Sequence, residues 1–257
     1  MQQPLVEALP DDRIVGRNAV MEALRSGRTL DSVWIANGDR SGSLGVIRAK
    51  CKDAGVPVKD VDVRKLSTVG GNNHQGVVAF AACKEYASVD DIFARAEQAG
   101  EPPFILVCDG LEDAHNLGAV LRSAEAAGCH GVIIPKRRSV GLNATVAKTS
   151  AGAVEYVPVA RVANLTETLR RLKERGVWVY GLDMDGSPWC QTDMTGAVAL
   201  VVGSEGHGIS RLVREQCDCI LSLPMRGNIN SLNASVACGI IVYEVTRQRL
   251  GLQSVMG

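Results

Sequence analysis

Three polar or glycine-rich segments each follow a short apolar run of the sequence. The first, residues 109–123, contains Asn116 and Arg122. The second is Gly-Ser-Glu-Gly-His-Gly at 203–208, where three glycines would let a flat or charged ligand approach the backbone closely. The third, residues 223–237, reads Leu-Pro-Met-Arg-Gly-Asn-Ile-Asn-Ser-Leu-Asn-Ala-Ser-Val-Ala. Ligands of open parallel sheets bind beyond the carboxyl ends of the strands, so these segments form the candidate ligand site.

Each segment also has a purely structural interpretation. Asn116 is predicted to cap a helix, and Arg122 reads equally well as a surface base. The glycine order G-x-x-G-x-G differs from the dinucleotide fingerprint G-x-G-x-x-G, which disfavours a nicotinamide enzyme and leaves a plain turn open. Ser231 is predicted to cap the last helix, which places Asn233 and Ser235 inside it. Capping alone does not account for those polar residues, so we expect this helix end to face a ligand.

The elements that must position these segments alternate between strands and helices. Strands that are apolar on both faces are predicted at 104–108, 131–135, 156–159, 177–182, 197–202 and 220–223. Helical spacing is found at 117–127, 144–151, 165–175, 210–216 and 231–250. This alternation predicts an α/β fold in which a parallel sheet is covered by helices.

A smaller α/β module is predicted before this sheet. Residues 14–83 combine helical patterns at 18–25 and 44–54 with strand-like runs at 32–36 and 76–82. The module has ten Lys or Arg against six Asp or Glu, a net charge of +4, although the whole chain of 257 residues has 28 of each. Residues 84–103 are acidic and end in Gly-Glu-Pro-Pro, which is typical of a linker with one helix. The predicted domains are therefore residues 1–83 and 104–257, joined by a linker at 84–103.

Composition narrows the class of protein. With 46% hydrophobic and 22% charged residues, the chain can form a packed core. The eight cysteines show no C-x-x-C spacing, which disfavours a zinc site and a disulfide scaffold, and no metal is predicted. The N-terminus lacks the bases of a signal peptide, and no apolar run approaches the roughly 18 residues of a membrane span. We therefore expect a cytoplasmic protein with reduced thiols and no membrane partner.

Taken together, the three segments resemble the three motifs of the SpoU (TrmH) family of RNA ribose 2′-O-methyltransferases, in the SPOUT superfamily. Each motif alone is weak evidence for this family, but the order of the three motifs and the position of each after a strand are specific to it. Residues 147–159 also resemble the connecting segment of the family, and His-Gln-Gly at 74–76 resembles the end of its N-terminal substrate-binding module. Among the subgroups, the chain is most similar to the 23S rRNA guanosine-2′-O-methyltransferases, which carry such an L30e-like module.

The resemblance implies a fold, a cofactor and partners. The C-terminal domain would be a parallel-sheet domain with a deep trefoil knot, S-adenosylmethionine would bind in the knot, RNA would be the substrate, and the working form would be a homodimer. By motif match, the resemblance places the cofactor against Gly203, Gly208, Leu223, Met225 and Leu232. It places the catalytic groups at Asn116, Arg122, Glu205, Ser231 and Asn233.

The implied reaction is an in-line displacement from a sulfonium to a ribose hydroxyl, which requires alignment and removal of a proton but no metal. Because a guanidinium is effectively always protonated, we expect Arg122 to stabilise the developing oxyanion while phosphate or water accepts the proton. An arginine acting as a true base is the alternative. Asn116 and Glu205 would orient Arg122, and Ser231 and Asn233 would position the substrate.

The predicted function is 2′-O-methylation of a guanosine in 23S rRNA. Within the class, the alternative is methylation of tRNA or of an rRNA adenosine, as in resistance-type enzymes; outside it, the alternative is a non-catalytic RNA-binding protein. The +4 module is the expected RNA selector, and the aromatic content of 4% indicates that shape and phosphate contacts outweigh base stacking. Lys-Arg-Arg at 136–138 would either bind phosphates or form a solvated loop.

Overall fold

The computed structural model describes residues 12–38, 42–228 and 231–252. They belong to two compact units, each with its own sheet. The N-terminal unit comprises the chain up to Glu85 together with Leu142–Ala144. The C-terminal unit comprises Tyr86–Gly141 and the chain from Thr145 onwards.

The described residues of the N-terminal unit form one mixed sheet with three helices. The strands are β1 (Arg13–Val15), β2 (Leu30–Ala36), β3 (Val58–Val61) and β4 (Val77–Ala81), and the helices are α1 (Arg17–Arg25), α2 (Gly42–Asp53) and α3 (Val63–Gly70). The strand order is β1-β4-β2-β3. Strands β2 and β3 are parallel, whereas β4 is antiparallel to both β1 and β2.

Both faces of this sheet are covered, which explains why β4 is apolar at every position. Val77 and Ala79 belong to a core that includes the fully buried Val20 of α1. Val78 belongs to a second core with Leu66 of α3. Successive residues of a strand point to opposite faces, so one apolar run supplies two cores.

The described residues of the C-terminal unit form a parallel sheet with covering helices. The strands are β5 (Phe104–Asp109), β6 (Gly131–Pro135), β7 (Val159–Val162), β8 (Trp178–Pro188), β9 (Val198–Gly203) and β10 (Cys219–Ser222). The helices are α4 (Val89–Ala99), α5 (Ala114–Ala126), α6 (Ala144–Thr149), α7 (Leu165–Glu174), α8 (Arg211–Arg214) and α9 (Ala234–Arg249). All neighbouring strands are parallel, in the order β10-β8-β9-β5-β6-β7.

Strands β5 and β9 lie at the centre of this sheet and are buried along almost their whole length. Their side chains Val107 and Val201 pack in one core with Leu169 of α7. Helix α9 lies against the end of α5, where Thr246 Oγ1 donates a hydrogen bond to the Ala127 carbonyl at 3.0 Å. The α/β fold class predicted from the alternation of strands and helices is confirmed.

The segment predicted as a linker, residues 84–103, contains helix α4. A capping box starts the helix: Asp91 N donates to Ser88 Oγ at 3.1 Å, and Ser88 N donates to the Asp91 carboxylate at 2.7 Å. The hydrogen bonds that the Asp91 carboxylate accepts from Ser88 N and Ser88 Oγ lower the pKa of that carboxyl. Ile92 is fully buried in the core of the C-terminal unit. The division of the chain at residues 83 and 103 stays a prediction.

Most predicted elements lie within a few residues of the observed ones, with one displaced strand. The strand predicted to begin at residue 156 is β7, which begins at Val159, and Tyr156 is exposed. Pro158 explains the difference, because it has no backbone N–H. Only its carbonyl joins the sheet, where it accepts a hydrogen bond from Val132 N at 2.9 Å.

Candidate active site

The loops after the two central strands begin side by side at the carboxyl edge of the sheet. Strands β5 and β9 are paired in parallel, with Asp109 opposite Gly203. Ser210 N donates a hydrogen bond to the Asp109 carboxylate at 2.7 Å and ties the two loops together. One loop leads into α5 and the other contains the glycine-rich segment.

Asn116 lies in the first turn of α5 and is only 5% exposed. The prediction that it caps this helix is wrong, because Asp113 is the N-cap and accepts a hydrogen bond from His115 N at 2.9 Å. The Asn116 side chain is therefore available to the neighbouring loop. Its Nδ2 donates a short hydrogen bond to Glu205 Oε1.

Asn233, and not Ser231, caps helix α9. Its Oδ1 accepts hydrogen bonds from Ser235 N at 2.9 Å and from Val236 N at 3.3 Å. The prediction that Ser231 is the cap is wrong, since the helix begins at Ala234. Because the cap uses the amide oxygen, the Asn233 Nδ2 group faces the other way.

Asn116, Glu205 and Asn233 form a closed hydrogen-bonded group, the amide-carboxylate cluster. Asn233 Nδ2 donates to Glu205 Oε1 at 2.8 Å and to Asn116 Oδ1 at 3.0 Å. Glu205 Oε1 thus accepts from two amides, whereas Oε2 has no hydrogen bond among the described residues. The cluster therefore presents a fixed carboxylate with one oxygen left to bind a cation or a hydroxyl donor.

The glycines of the second segment close a tight loop. Ser204 and Gly208 exchange backbone hydrogen bonds of 3.0 and 2.9 Å, and Gly208 has a φ of +63°. A Cβ atom on Gly203 would lie 2.0 Å from the carbonyl carbon of Gly208. Gly203 is therefore required by the packing of the loop on itself, a reason that the glycine spacing alone did not reveal.

A cleft of about 920 Å³ opens beside this loop. All five residues predicted to contact the cofactor line it, namely Gly203, Gly208, Leu223, Met225 and Leu232. Glu205 and Ser231 also line the cleft, so its edge is continuous with the amide-carboxylate cluster. Sequence analysis missed the contribution of β8, because Asp183 and Met184 line the same cleft. The rule that polar residues follow strands would have found them, since they come directly after the apolar run at 177–182.

The lining of the cleft suits a flat heteroaromatic ligand. Met225 and Leu232 are 38% and 42% exposed, which leaves apolar surface open to a ring. Within the described part of the chain, the N–H groups of Leu223 and Met225 donate no hydrogen bond. Unpaired backbone groups beside exposed apolar side chains are the usual lining of a small-molecule site. The residues present therefore fit the adenosine part of S-adenosylmethionine.

Arg122 is not hydrogen-bonded to the cluster. It is an exposed residue of α5. Among the described residues it forms no hydrogen bond or ion pair, so the expected orientation by Asn116 and Glu205 does not occur within the chain. Those two side chains bind each other and Asn233 instead.

Arg214 fixes the β8 side of the cleft. Its guanidinium donates to Asp183 at 2.6 Å and to the two carboxylate oxygens of Asp185 at 2.8 and 3.0 Å. The hydrogen bond from Arg214 lowers the pKa of the Asp185 carboxyl. Asp183 is therefore held in place where it faces the cleft. Among the described residues, no group of three or more His, Cys, Asp or Glu side chains could hold a metal ion.

Two family models match the chain. The SpoU rRNA Methylase family matches residues 103–243, and the RNA 2′-O ribose methyltransferase substrate-binding domain matches residues 13–87. The fold and the site thus define an α/β methyltransferase with an appended RNA-substrate domain. The chain belongs to the SpoU family of RNA methyltransferases.

Curated relatives agree over almost the whole length. YacO of Bacillus subtilis, named for the TrmH family of tRNA/rRNA methyltransferases, is 48% identical over 239 residues, which cover 93% of this chain and 96% of that protein. A relative from Staphylococcus haemolyticus with the same family name is 46% identical over 243 residues, covering 94% and 97%. The predicted family and enzyme class are confirmed.

Solved structures share the fold. The SpoU methyltransferase AviRb of Streptomyces viridochromogenes, in complex with S-adenosylmethionine, superposes with a TM-score of 0.61 at 24% identity, covering 94% of this chain and 91% of its own. An rRNA methyltransferase of Sinorhizobium meliloti gives a TM-score of 0.57 at 26% identity, covering 94% and 88%. Methyltransferases of this family use S-adenosylmethionine, so the predicted cofactor is confirmed at the level of the family.

Proposed function

We propose that this protein transfers a methyl group from S-adenosylmethionine to the ribose 2′-hydroxyl of a guanosine in 23S rRNA. The observation that carries the proposal is the amide-carboxylate cluster at the edge of the cleft, because Glu205 belongs to both. A methyl transfer depends on aligning donor and acceptor, and a fixed carboxylate beside a cofactor-sized cleft is suited to that task. Membership of the SpoU family and the substrate-binding domain support a methylation of RNA.

We assign cofactor binding to the five lining residues Gly203, Gly208, Leu223, Met225 and Leu232. The bound cofactor supplies an electrophilic methyl group. The free N–H groups of Leu223 and Met225 suit the hydrogen-bonding edge of adenine, and the exposed Leu232 suits its face. The anchored carboxylate of Asp183 is available to a hydroxyl or an ammonium group.

For Arg122 we propose an electrostatic role in the reaction. Its guanidinium has no partner among the described residues and is therefore available to RNA. A fixed cation beside the 2′-hydroxyl and its phosphate would stabilise the developing oxyanion, and the proton would pass to phosphate or water. Ser231 and Asn233 would position the ribose, and the free Oε2 of Glu205 would hold a donor group of the substrate or of Arg122.

We propose that the working form is a homodimer built on helix α9. Val236, Ile240 and Tyr243 are spaced by four and three residues, so they share one face of the helix, and they are 51%, 39% and 53% exposed. An apolar stripe of this kind is typical of a surface covered by a partner. The stripe lies near the end of α5 that carries Arg122, since the neighbouring Ser123 is 3.6 Å from the position of a Cβ on Gly239. A second copy would thus cover the region around Arg122.

The experiment uses the full-length protein with tritiated S-adenosylmethionine and unmodified transcripts of 23S rRNA and of tRNA. A 2′-O-methyl group protects the adjacent linkage against alkaline hydrolysis, because the free 2′-hydroxyl is the nucleophile in that cleavage. We expect one protected linkage, at a guanosine of the 23S transcript.

Other outcomes distinguish the alternatives. Label in tRNA or at an rRNA adenosine would contradict the proposed target, but the proposed reaction, a 2′-O-methylation, would still hold. RNA binding without transfer, in a protein that also fails to bind S-adenosylmethionine in calorimetric titration, would identify a non-catalytic RNA-binding protein.

A further inference from the structure

We infer that Lys136, Arg137 and Arg138, the basic loop, bind the phosphate backbone of RNA next to the nucleotide that is methylated. This inference rests on the proposed function, because it names the part of the RNA that the C-terminal unit holds. It concerns a surface distinct from the cleft and from the amide-carboxylate cluster.

The basic loop is anchored to the segment that leads to Asn116. It follows β6, which pairs in parallel with β5, so both strands end at the same edge of the sheet. Directly after the loop, Val140 N donates to the Leu111 carbonyl at 2.8 Å, and Ser139 Oγ donates to the same carbonyl at 3.2 Å. Leu111 lies five residues before Asn116. The three bases are therefore carried at the edge where the ribose would lie.

The described residues do not neutralise the positive charges of the loop. Within the described ranges, none of the three bases forms an ion pair, and Arg137 and Arg138 are exposed. The adjoining loop has three acids, Asp109, Glu112 and Asp113, and none of them pairs with these bases among the described residues: Asp109 accepts from Ser210 N, and Asp113 caps α5. Three adjacent cations that pair with no described side chain are available to an anion.

Three other exposed bases of the same unit behave differently. Arg170 and Arg171 both pair with Glu167, and Arg211 pairs with Glu215. Their side chains are 62%, 71% and 79% exposed, so exposure alone does not explain why the basic loop is unpaired. This contrast marks the loop as a binding surface and supplies a matched control.

The backbone of the loop is held in an unusual conformation. Arg138 has a φ of +55°, in the left-handed region that is unfavourable for a residue with a Cβ. Its carbonyl oxygen lies 3.6 Å from the position of a Cβ on Gly110, so the turn is packed against the segment before α5. Strained residues of this kind persist where the surroundings impose them, most often at functional sites.

The ligand chemistry follows from the side chains. Lysine and arginine recognise phosphate oxygens, and such contacts fix the register of a nucleic acid without reading its bases. Aromatic side chains, which would stack on bases, are absent from residues 136–138. The basic loop should therefore contribute affinity that depends on salt and not on sequence.

The test compares two triple variants of the full-length protein. One is Lys136→Gln with Arg137→Gln and Arg138→Asn, in which asparagine tolerates the left-handed conformation. The control is Arg170→Gln with Arg171→Gln and Arg211→Gln, which removes the same formal charge from paired positions. Filter binding of a 23S rRNA transcript is measured between about 50 and 200 mM KCl, together with KM for the transcript, kcat and the affinity for S-adenosylmethionine.

We expect the slope of log K against log[KCl] to fall in magnitude by about 2–3 in the loop variant, as the loss of three phosphate contacts requires. KM for RNA should rise while kcat and cofactor affinity stay near wild type, and the control should keep the wild-type slope. An unchanged slope in the loop variant overturns the inference. If the triple variant misfolds, Arg137→Gln alone decides the question through a slope change of about 1.

Failure of the proposed function gives a different pattern. A wild-type protein that binds the transcript without methylating it overturns the function, and the slope still decides the role of the loop. If the wild-type protein methylates the transcript and the loop variant keeps the wild-type slope and KM, only the inference about the basic loop is overturned. A wild-type protein that binds no RNA overturns both.

Discussion

Asn233 serves two purposes with the two atoms of its amide. The oxygen caps α9 by accepting from Ser235 N and Val236 N, and the nitrogen donates to Glu205 and Asn116. The cap fixes which way the amide points, so the start of the last helix also sets the geometry of the cluster. In the sequence, Asn233 is only one of several polar residues near a helix end. In the structure it belongs both to the helix cap and to the site.

We expect Asn233→Asp to separate these two roles. Aspartate keeps the cap but cannot donate, and its carboxylate would repel that of Glu205. Thermal stability should change little, whereas methyl transfer should fall by roughly 10²–10³, as when a preorganised polar group is lost. The matched Asn233→Ala variant should also lose the cap, at about 1 kcal/mol of unfolding free energy. Melting curves and single-turnover rates measure the two effects, and an Asn233→Asp variant with wild-type turnover would remove the cluster from the mechanism.

Arg122→Ala should abolish methyl transfer while cofactor affinity stays within a few fold of wild type. The guanidinium is proposed to stabilise charge at the hydroxyl and is not among the residues that line the cleft. The expected loss is roughly 10²–10³ or more in rate. Single-turnover kinetics and calorimetric titration with S-adenosylmethionine provide the measurement, and a near-normal rate would exclude Arg122 from catalysis.

At the scale of elements, the glycine-rich loop after β9 is constrained mainly by its own packing. Its backbone folds back so closely that Gly203 has no room for a side chain, whereas a Cβ on Gly206 would meet no atom within 4 Å. The two glycines therefore have different roles although they stand three residues apart in one motif. A ligand interpretation of the motif treats them alike.

Gly203→Val should consequently destabilise the protein as well as weaken cofactor binding. The added side chain must displace the backbone of Gly208, and overpacking of this kind costs about 1–3 kcal/mol. Gly206→Ala is the control and should retain near-normal stability. Circular dichroism melts and calorimetric titration with S-adenosylmethionine separate the two effects. A stable Gly203→Val variant with wild-type cofactor affinity would contradict both the packing argument and the assigned cofactor site.

At the scale of the whole molecule, the chain joins a substrate-binding unit to a methyltransferase unit. Deleting Met1–Lys84 retains α4, whose Ile92 is part of the C-terminal core. We expect the remaining chain to fold and to bind S-adenosylmethionine but to lose most of its RNA affinity, because the basic module at residues 14–83 is removed. Calorimetry and filter binding test both statements. Wild-type RNA affinity in the truncated protein would contradict the proposed division into domains.

The exposed stripe on α9 provides the test of the homodimer. Tyr243→Asp places a charge within this stripe, where burial against a second copy would be unfavourable. One chain has a mass of 27.3 kDa. Light scattering should give twice this mass for the wild type and the mass of one chain for the variant. Met184→Asp, at a residue that is 61% exposed but outside α9, is the control and should stay dimeric. A monomeric wild type would contradict the proposal.

No described helix is long and apolar enough to cross a membrane.

The sequence alone determined the order of strands and helices in the C-terminal unit, since apolar runs of strand length alternate there with helical spacing. It also determined the three motifs, and hence the family, because motif residues are local. The burial of α4 and the start of β7 could not be predicted as well from the sequence. Ile92 is buried by packing against distant residues, and Pro158 joins the sheet by pairing with a distant strand.

Only the tertiary structure decided which side chains meet. Asn116 and Asn233 are 117 residues apart, and their contact depends on two parallel strands and two helix caps that no local pattern reveals. Local propensity ranks Asn, Ser and Asp almost equally as caps, so it selected Asn116 and Ser231 where the chain uses Asp113 and Asn233. The expectation that Asn116 and Glu205 orient Arg122 followed from the motif match and the implied reaction, whereas in the folded chain Glu205 accepts from two amides. The sequence gives the residue types, but their hydrogen-bond partners depend on the path of the backbone in space.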